Sequence, residues 1–190
     1  MSDQEYFTVH HQLTVNVEPL ADDYTYPTFA QFEDEIPTPF LVASEFSSLD
    51  QLNDAARAEL KSNDFKHVIA LLDTQNAKLN LLLTFMLSQQ DNHDYRHQTV
   101  AFGASQFSYL CNQAITEGQK VRVKLFLDHP ASAIYCYGSV FSCSKTDEDS
   151  QYTVTIKYDL LRDQDQDLLI KAALYQQQKL LRQRSLNREK

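Results

Sequence analysis

The chain has 190 residues, with 26 acidic against 17 basic side chains and a formal net charge of −9. With 43% apolar residues it can bury a core, but with only three glycines it cannot build a glycine-rich phosphate loop. Residues 1–56 carry eleven acidic groups and no basic one, which leaves +2 for the remainder, and that acidic front excludes nucleic acid and anionic lipid as its partners.

From Tyr6 to Pro19 the sequence YFTVHHQLTVNVEP alternates Phe7, Val9, Leu13, Val15 and Val17 with Thr8, His10, Gln12, Thr14 and Asn16. A period of two predicts one half-buried strand, with His11 on its apolar side as a core histidine. Residues 20–47 keep no period. They hold Pro27, Pro37 and Pro39 and a string of aromatics from Tyr24 to Phe46. They predict an irregular acidic and aromatic excursion, ordered because it packs on the domain or on a partner. Helix is expected from Ser48, where Ser48 and Gln51 have capping-box spacing, and a helical insertion is expected over 48–90 with a break at Ser62-Asn63-Asp64.

From Phe65 the spacing alternates three and four through Phe65, Val68, Leu72, Gln75, Leu79, Leu82, Met86 and Gln89, which is heptad a/d spacing. Ile69, Asn76 and Leu83 form a second stripe, and from Leu81 to Leu87 the helix is apolar nearly all round. Such a helix needs cover on more than one side. Either it sinks wholly into its own core, or its second side meets the same helix of another copy. A helix of about 33 Å is much for one small domain to wrap. Self-association is therefore expected, with Phe65, Val68, Leu72, Gln75, Leu79, Leu82 and Met86 as the interface and Gln75 and Asn76 setting its register.

Strands follow. HQTVAFGASQFSYLC, His97 to Cys111, is a strand pair or a bent strand around Gly103. Val121, Val123, Leu125 and Leu127 alternate with Arg122 and Lys124. Ile134, Cys136 and Val140 belong to the next strand, and Tyr152 to Tyr158 to another. A closing helix is expected from about Asp163, its acids first and its bases last, as the helix dipole prefers. The order gives an α+β class: a small antiparallel β-barrel with a long helical insertion after the first strand and a C-terminal helix.

Little here carries covalent chemistry. His93 and His97 are four apart in HDYRH, but their flanks look like a loop and no third ligand is near, so neither metal nor cofactor is expected. Cys111, Cys136 and Cys143 are odd in number and lack CxxC spacing, and are read as reduced thiols in strands. No nucleophile elbow, HExxH or paired-carboxylate motif occurs, so no enzyme is expected. The start MSDQEYF is polar and acidic and no apolar run approaches a bilayer span, so a cytoplasmic protein without a membrane span is expected.

The strand EYFTVHHQLTVNV, the run NAKLNLLLTFMLSQ in its long helical insertion, the strands VAFGASQFSYLC, EGQKVRVKLFL and YGSVFSC, and the close YTVTIKYDLLRDQDQDLLIKAALYQQQKLLRQR together resemble the PilZ domain family of bacterial cyclic di-GMP receptors, most of all its atypical tetramer-forming subgroup. The resemblance covers nearly the whole chain and implies a single PilZ-like domain over 1–190. It also implies two binding boxes, an RxxxR before the first strand and an Asp/Asn-x-Ser-x-x-Gly on a rising strand. The first would fall near Gln4 and Thr8, which are neutral, and the first cation is Arg57. The second would fall on Ala101-Phe102-Gly103-Ala104-Ser105-Gln106, where Ala101 and Gly103 lack the side chains and Gln106 replaces the glycine. Losing several charge-assisted hydrogen bonds of ~1.5–3 kcal/mol each removes most of a micromolar affinity of ~8 kcal/mol. The expected function is a non-enzymatic adaptor in cyclic di-GMP signalling, acting as a homo-oligomer, with tetramer favoured, or through a protein partner. The alternative is an atypical cyclic di-GMP receptor that takes cations from Arg57, Arg96, Arg122, Arg162 or another chain.

Overall fold

The structure, a computed structural model, describes residues 7–59, 65–128, 131–146 and 151–188, and the side chains of all but 50–59 and 186–188 among these. Seven strands run in chain order: β1 (Thr8–His10), β2 (Thr14–Pro19), β3 (Arg96–Gly103), β4 (Gln106–Cys111), β5 (Lys120–Leu127), β6 (Ser132–Lys145) and β7 (Tyr152–Leu160). All pairings are antiparallel. The sheet runs β2–β5–β6–β7–β4, and β3 pairs with both β4 and β2, closing a six-stranded barrel with β1 as an extra strand on β3. The α+β barrel expected from the sequence is the observed fold.

The alternation in β5 decides its faces. Val121, Val123, Leu125 and Leu127 are buried in the barrel, while Arg122 and Lys124 lie between them. His97–Cys111 is a strand pair, β3 and β4, rather than one bent strand. The opening strand needs a correction, because it is two strands. Thr8 faces Gly103 and Thr14 faces Gln98, so the register slips by one residue between them. The Thr99 side chain fills the slip: its Oγ1 donates to the His11 carbonyl at 2.8 Å and accepts from the Leu13 amide at 2.9 Å. Val9, Leu13, Val15 and Val17 still point inward, but Phe7 is exposed and Asn16, expected outside, is buried.

Among the described residues four α-helices accompany the strands: α1 (Phe29–Glu35), α2 (Thr38–Glu59), α3 (Lys66–Ser88) and α4 (Asp163–Arg188). The stretch 20–47 is therefore not irregular throughout. It holds α1 and the start of α2, and Ser48 lies in mid-helix rather than at a cap. Pro39 fits because the first turn of a helix has no use for its missing N–H. The expected break at Ser62-Asn63-Asp64 lies outside the described residues.

Strand β6 explains why there are two cores. From Ser132 to Gly138 it is buried on both faces. Inward, Ile134, Cys136 and Val140 join the barrel core, which α4 plugs with Leu168, Leu169, Ala172 and Ala173. Outward, Ala133, Tyr135 and Tyr137 meet Phe32 of α1, Ile36 just after it, Phe40 and Ala43 of α2 and Leu83 and Leu87 of α3. At ~1.5–3 kcal/mol for each large side chain buried, this outer core is enough to hold a helical layer on the sheet.

Polar locks set its edges. Asn16 Nδ2 donates to Asp91 Oδ1 at 2.8 Å and to the Asn92 carbonyl, and its Oδ1 accepts from the Asn92 amide at 2.8 Å. This ties the end of α3 to β2. Tyr137 OH donates to Glu35 Oε2 at 2.5 Å and accepts from Tyr24 OH at 3.0 Å, which fastens α1. At the start of α4, Arg162 and Asp165 form a buried bidentate pair at 2.8 Å, though burial outweighs the partner and raises the Asp165 carboxyl.

Candidate functional site: the outward face of α3

Helix α3 touches its own domain along Leu83 and Leu87, with Ile69, Asn76 and Asn80 half-buried beside them. The second stripe of the sequence is thus the inner one. The first stripe lies roughly 100° round the helix, where Phe65, Val68, Leu72, Gln75, Leu79, Leu82 and Met86 are all exposed on one side. Their apolar members range from 41% exposed at Met86 to 63% at Leu82. Leu71, Leu81 and Phe85 widen the face further, at 59%, 71% and 64%. From Phe65 to Met86, nine large apolar residues therefore meet solvent. At ~25 cal/mol per Å² of apolar surface, a face this wide is a strong drive to association. Leu71 and Phe85 escaped the a/d reading because they sit at flanking g positions and Leu81 because it sits at c, although the run LLLTFML contains Leu81 and Phe85.

The two places where the resemblance puts nucleotide boxes lie elsewhere, on the barrel. Gln4 is outside the described residues. Thr8 is exposed in β1, opposite Gly103. Ala101 and Phe102 are buried, and Gly103 answers a packing need: a Cβ there would lie 2.1 Å from the Phe7 carbonyl oxygen. The Ser105 carbonyl accepts from the Tyr158 amide at 3.1 Å. A cleft of about 270 Å³ beside them is lined by Ala104, Ser105, Lys157, Tyr158, Asp159, Leu161 and Gln166.

Several cations of the barrel are committed within the fold. Arg96 holds Asp91 at 2.5 Å, and its hydrogen bond and that of Asn16 overcome burial to keep the Asp91 carboxyl below the usual range. Arg122 holds Glu18 at 3.1 Å over the Tyr137 ring, where Tyr135, Tyr137 and Glu18 outweigh burial and hold its proton more tightly than usual. Lys124 donates to the Gln90 carbonyl and Lys120 to that of Tyr24. Arg162 is buried with Asp165. The side chain of Arg57 lies outside those described.

His93 and His97 do not share a helical face. His93 is in a 3-10 turn within reach of Arg96, and His97 is on β3 against the Tyr109 ring, 4.6 Å between centroids. His11 is only partly buried, 3.9 Å from Asp128. Cys136 is fully buried, its thiol pushed up by that burial, and Cys111 and Cys143 are half-buried; all three are free thiols in strands. Among the described residues no helix is long and apolar enough to cross a membrane.

No protein-family model and no curated protein matches this sequence. Solved structures do match its fold. An inhibitor of motility from Bacillus subtilis, MotI/DgrA, aligns over 94% of this chain at 9% identity with a TM-score of 0.50, and this chain spans 53% of that protein's length. A pathogenic protein from Xanthomonas campestris, described as a new tetrameric PilZ domain self-assembled via an unusual helical bundle, aligns over 94% of this chain and 91% of its own, at 13% identity with a TM-score of 0.58. The chain has a PilZ-like fold.

Proposed function

We propose that this chain is a non-enzymatic PilZ-like adaptor that assembles copies of itself through the outward face of α3. The observation that carries the reading is the row of nine large apolar residues exposed between Phe65 and Met86 on a helix whose other side is already packed. In heptad terms a, d and the flanking g positions Leu71 and Phe85 are apolar, an arc too wide for a two-helix seam and suited to a bundle of four. The Xanthomonas neighbour's tetrameric helical bundle supports the same stoichiometry. Gln75, in mid-stripe, would fix the register at some cost in stability. The protein acts in the cytoplasm of a bacterium, in cyclic di-GMP signalling, and the nucleotide is not its own ligand. Support for this last point comes from the neutral boxes and from cations already paired with Asp91, Glu18 and Asp165. Light scattering should give four times the chain mass, and calorimetric titration with cyclic di-GMP should give no saturable heat. A wild-type monomer would overturn the assembly, and micromolar binding would overturn the adaptor role in favour of an atypical receptor.

A further inference from the structure

Helix α4 outlasts the domain that it plugs. Gln176 is its last buried residue, and every described side chain from Gln177 to Ser185 is exposed. From Gln177 to Arg188 the helix projects over about 18 Å. The projection carries Lys179, Arg182 and Arg184 and no acid among its described side chains, and none of the three pairs with a carboxylate among the described residues.

The complementary surface is on the same chain. Asp22, Asp23, Glu33, Asp34 and Glu45 are all exposed on the segment that covers the barrel's outer face. Glu33, Asp34 and Glu35 fill the last turn of α1 with no basic residue in that turn, where the helix dipole disfavours negative charge. A cation from outside the layer would relieve that.

We infer that the projecting basic half of α4 docks on the acidic α1–α2 surface of a second copy, making a charged contact separate from the α3 seam. The inference rests on the self-association proposed above, because a bundle through α3 raises the effective concentration of one copy's tail at another's front. A bilayer is the poorer fit. Between Gln177 and Ser185 only Leu180 and Leu181 are large and apolar among the described side chains, too few to sink the projecting helix into lipid. Nucleic acid is poorer still, since the same molecule presents the acidic front to it.

The test is zero-length carbodiimide coupling on an equal mixture of unlabelled and nitrogen-labelled full-length chains. Mixed-label peptides joining Lys179 to Glu33, Asp34 or Glu45 are expected, with a yield that falls roughly tenfold between low and high salt. K179E/R182E/R184E and E33K/D34K/E45K should each lose these links alone. Mixed together they should regain them, because each reversed surface then meets its opposite, a result that misfolding cannot produce. Absence of mixed-label links in the wild type, or failure of the variant mixture to regain them, overturns the contact. So does loss of binding to phosphatidylglycerol vesicles in the tail variant with links unchanged, which would assign the tail to a membrane. Light scattering on the same samples keeps the two interfaces apart. An oligomer without links sinks only the tail contact, and a wild-type monomer sinks the α3 seam.

Discussion

Leu82 and Leu83 are neighbours in sequence with opposite fates in the structure, and they separate assembly from folding. Leu82 is 63% exposed and Leu83 is 2% exposed. Replacing Leu79 and Leu82 by Glu removes two side chains that the single chain does not use, so the variant should still unfold cooperatively, its midpoint lowered only by the stabilisation that assembly lends the wild type. In a bundle the same two leucines, 45% and 63% exposed beforehand, would each be buried. Scaled from full burial of a leucine, that is about 2–3 kcal/mol per copy. Across four copies it is on the order of 10 kcal/mol, before the penalty for burying eight carboxylates. L79E/L82E should therefore run as a folded monomer at every accessible concentration. Leu83→Ala should do the reverse: keep the mass and lose about 2–5 kcal/mol of stability, as a buried leucine truncation does. Light scattering and a thermal melt on the same three samples decide it. If L79E/L82E keeps the wild-type mass, or Leu83→Ala dissociates the assembly without lowering the melt, the assignment of the two faces of α3 is wrong.

Other outcomes follow from the locks around the barrel. Asn16→Ala leaves the Asn92 amide and an Asp91 oxygen without their partner and should cost about 2–3 kcal/mol by denaturant titration. Gly103→Ala places a methyl 2.1 Å from the Phe7 carbonyl and should release β1, read as faster amide exchange at Thr8–His10 with the rest of the barrel protected. His97, half-buried on Tyr109, is held by that burial below its ordinary 6.5. The unfolded chain takes up its proton first, so stability should fall as pH drops from about 6.5 toward the lower folded value, and His97→Gln should flatten that slope in pH-dependent melts.

The parts of the fold legible in the sequence are those where one face of one element decides. The alternation Val121–Leu127 reads directly because β5 has a barrel on one side and polar groups on the other. The closing helix begins at Asp163 as its acids predict. The outer stripe of α3 was legible for the same reason, since its spacing is independent of what covers it. What was not legible depends on tertiary context. Asn16 looked like a solvent-side residue because the loop that buries it lies 75 residues away. The split between β1 and β2 keeps the parity of Val9 and Leu13, so alternation cannot reveal a slip that a Thr99 hydroxyl fills. Pro37 and Pro39 read as irregular chain, yet one precedes α2 and the other sits in its first turn.

These locks also bear on the proposal that the nucleotide is not this chain's ligand. The helical layer is seated by cations of the barrel. Arg96 and Asn16 hold Asp91 at the end of α3, Lys124 reaches the Gln90 carbonyl just beyond it, and Lys120 reaches the Tyr24 carbonyl ahead of α1. Arg122 is pinned to Glu18 over Tyr137, the ring that anchors Glu35. Freeing any of these cations for a phosphate would strip a partner from a half-buried carboxylate or carbonyl, at about 1–3 kcal/mol each. Nucleotide affinity gained there would be drawn from the stability of the layer that presents α3. Under the proposed adaptor role, the neutral boxes and the exposed helix go together: the barrel's cations hold the insertion in place, and the insertion turns its apolar side outward.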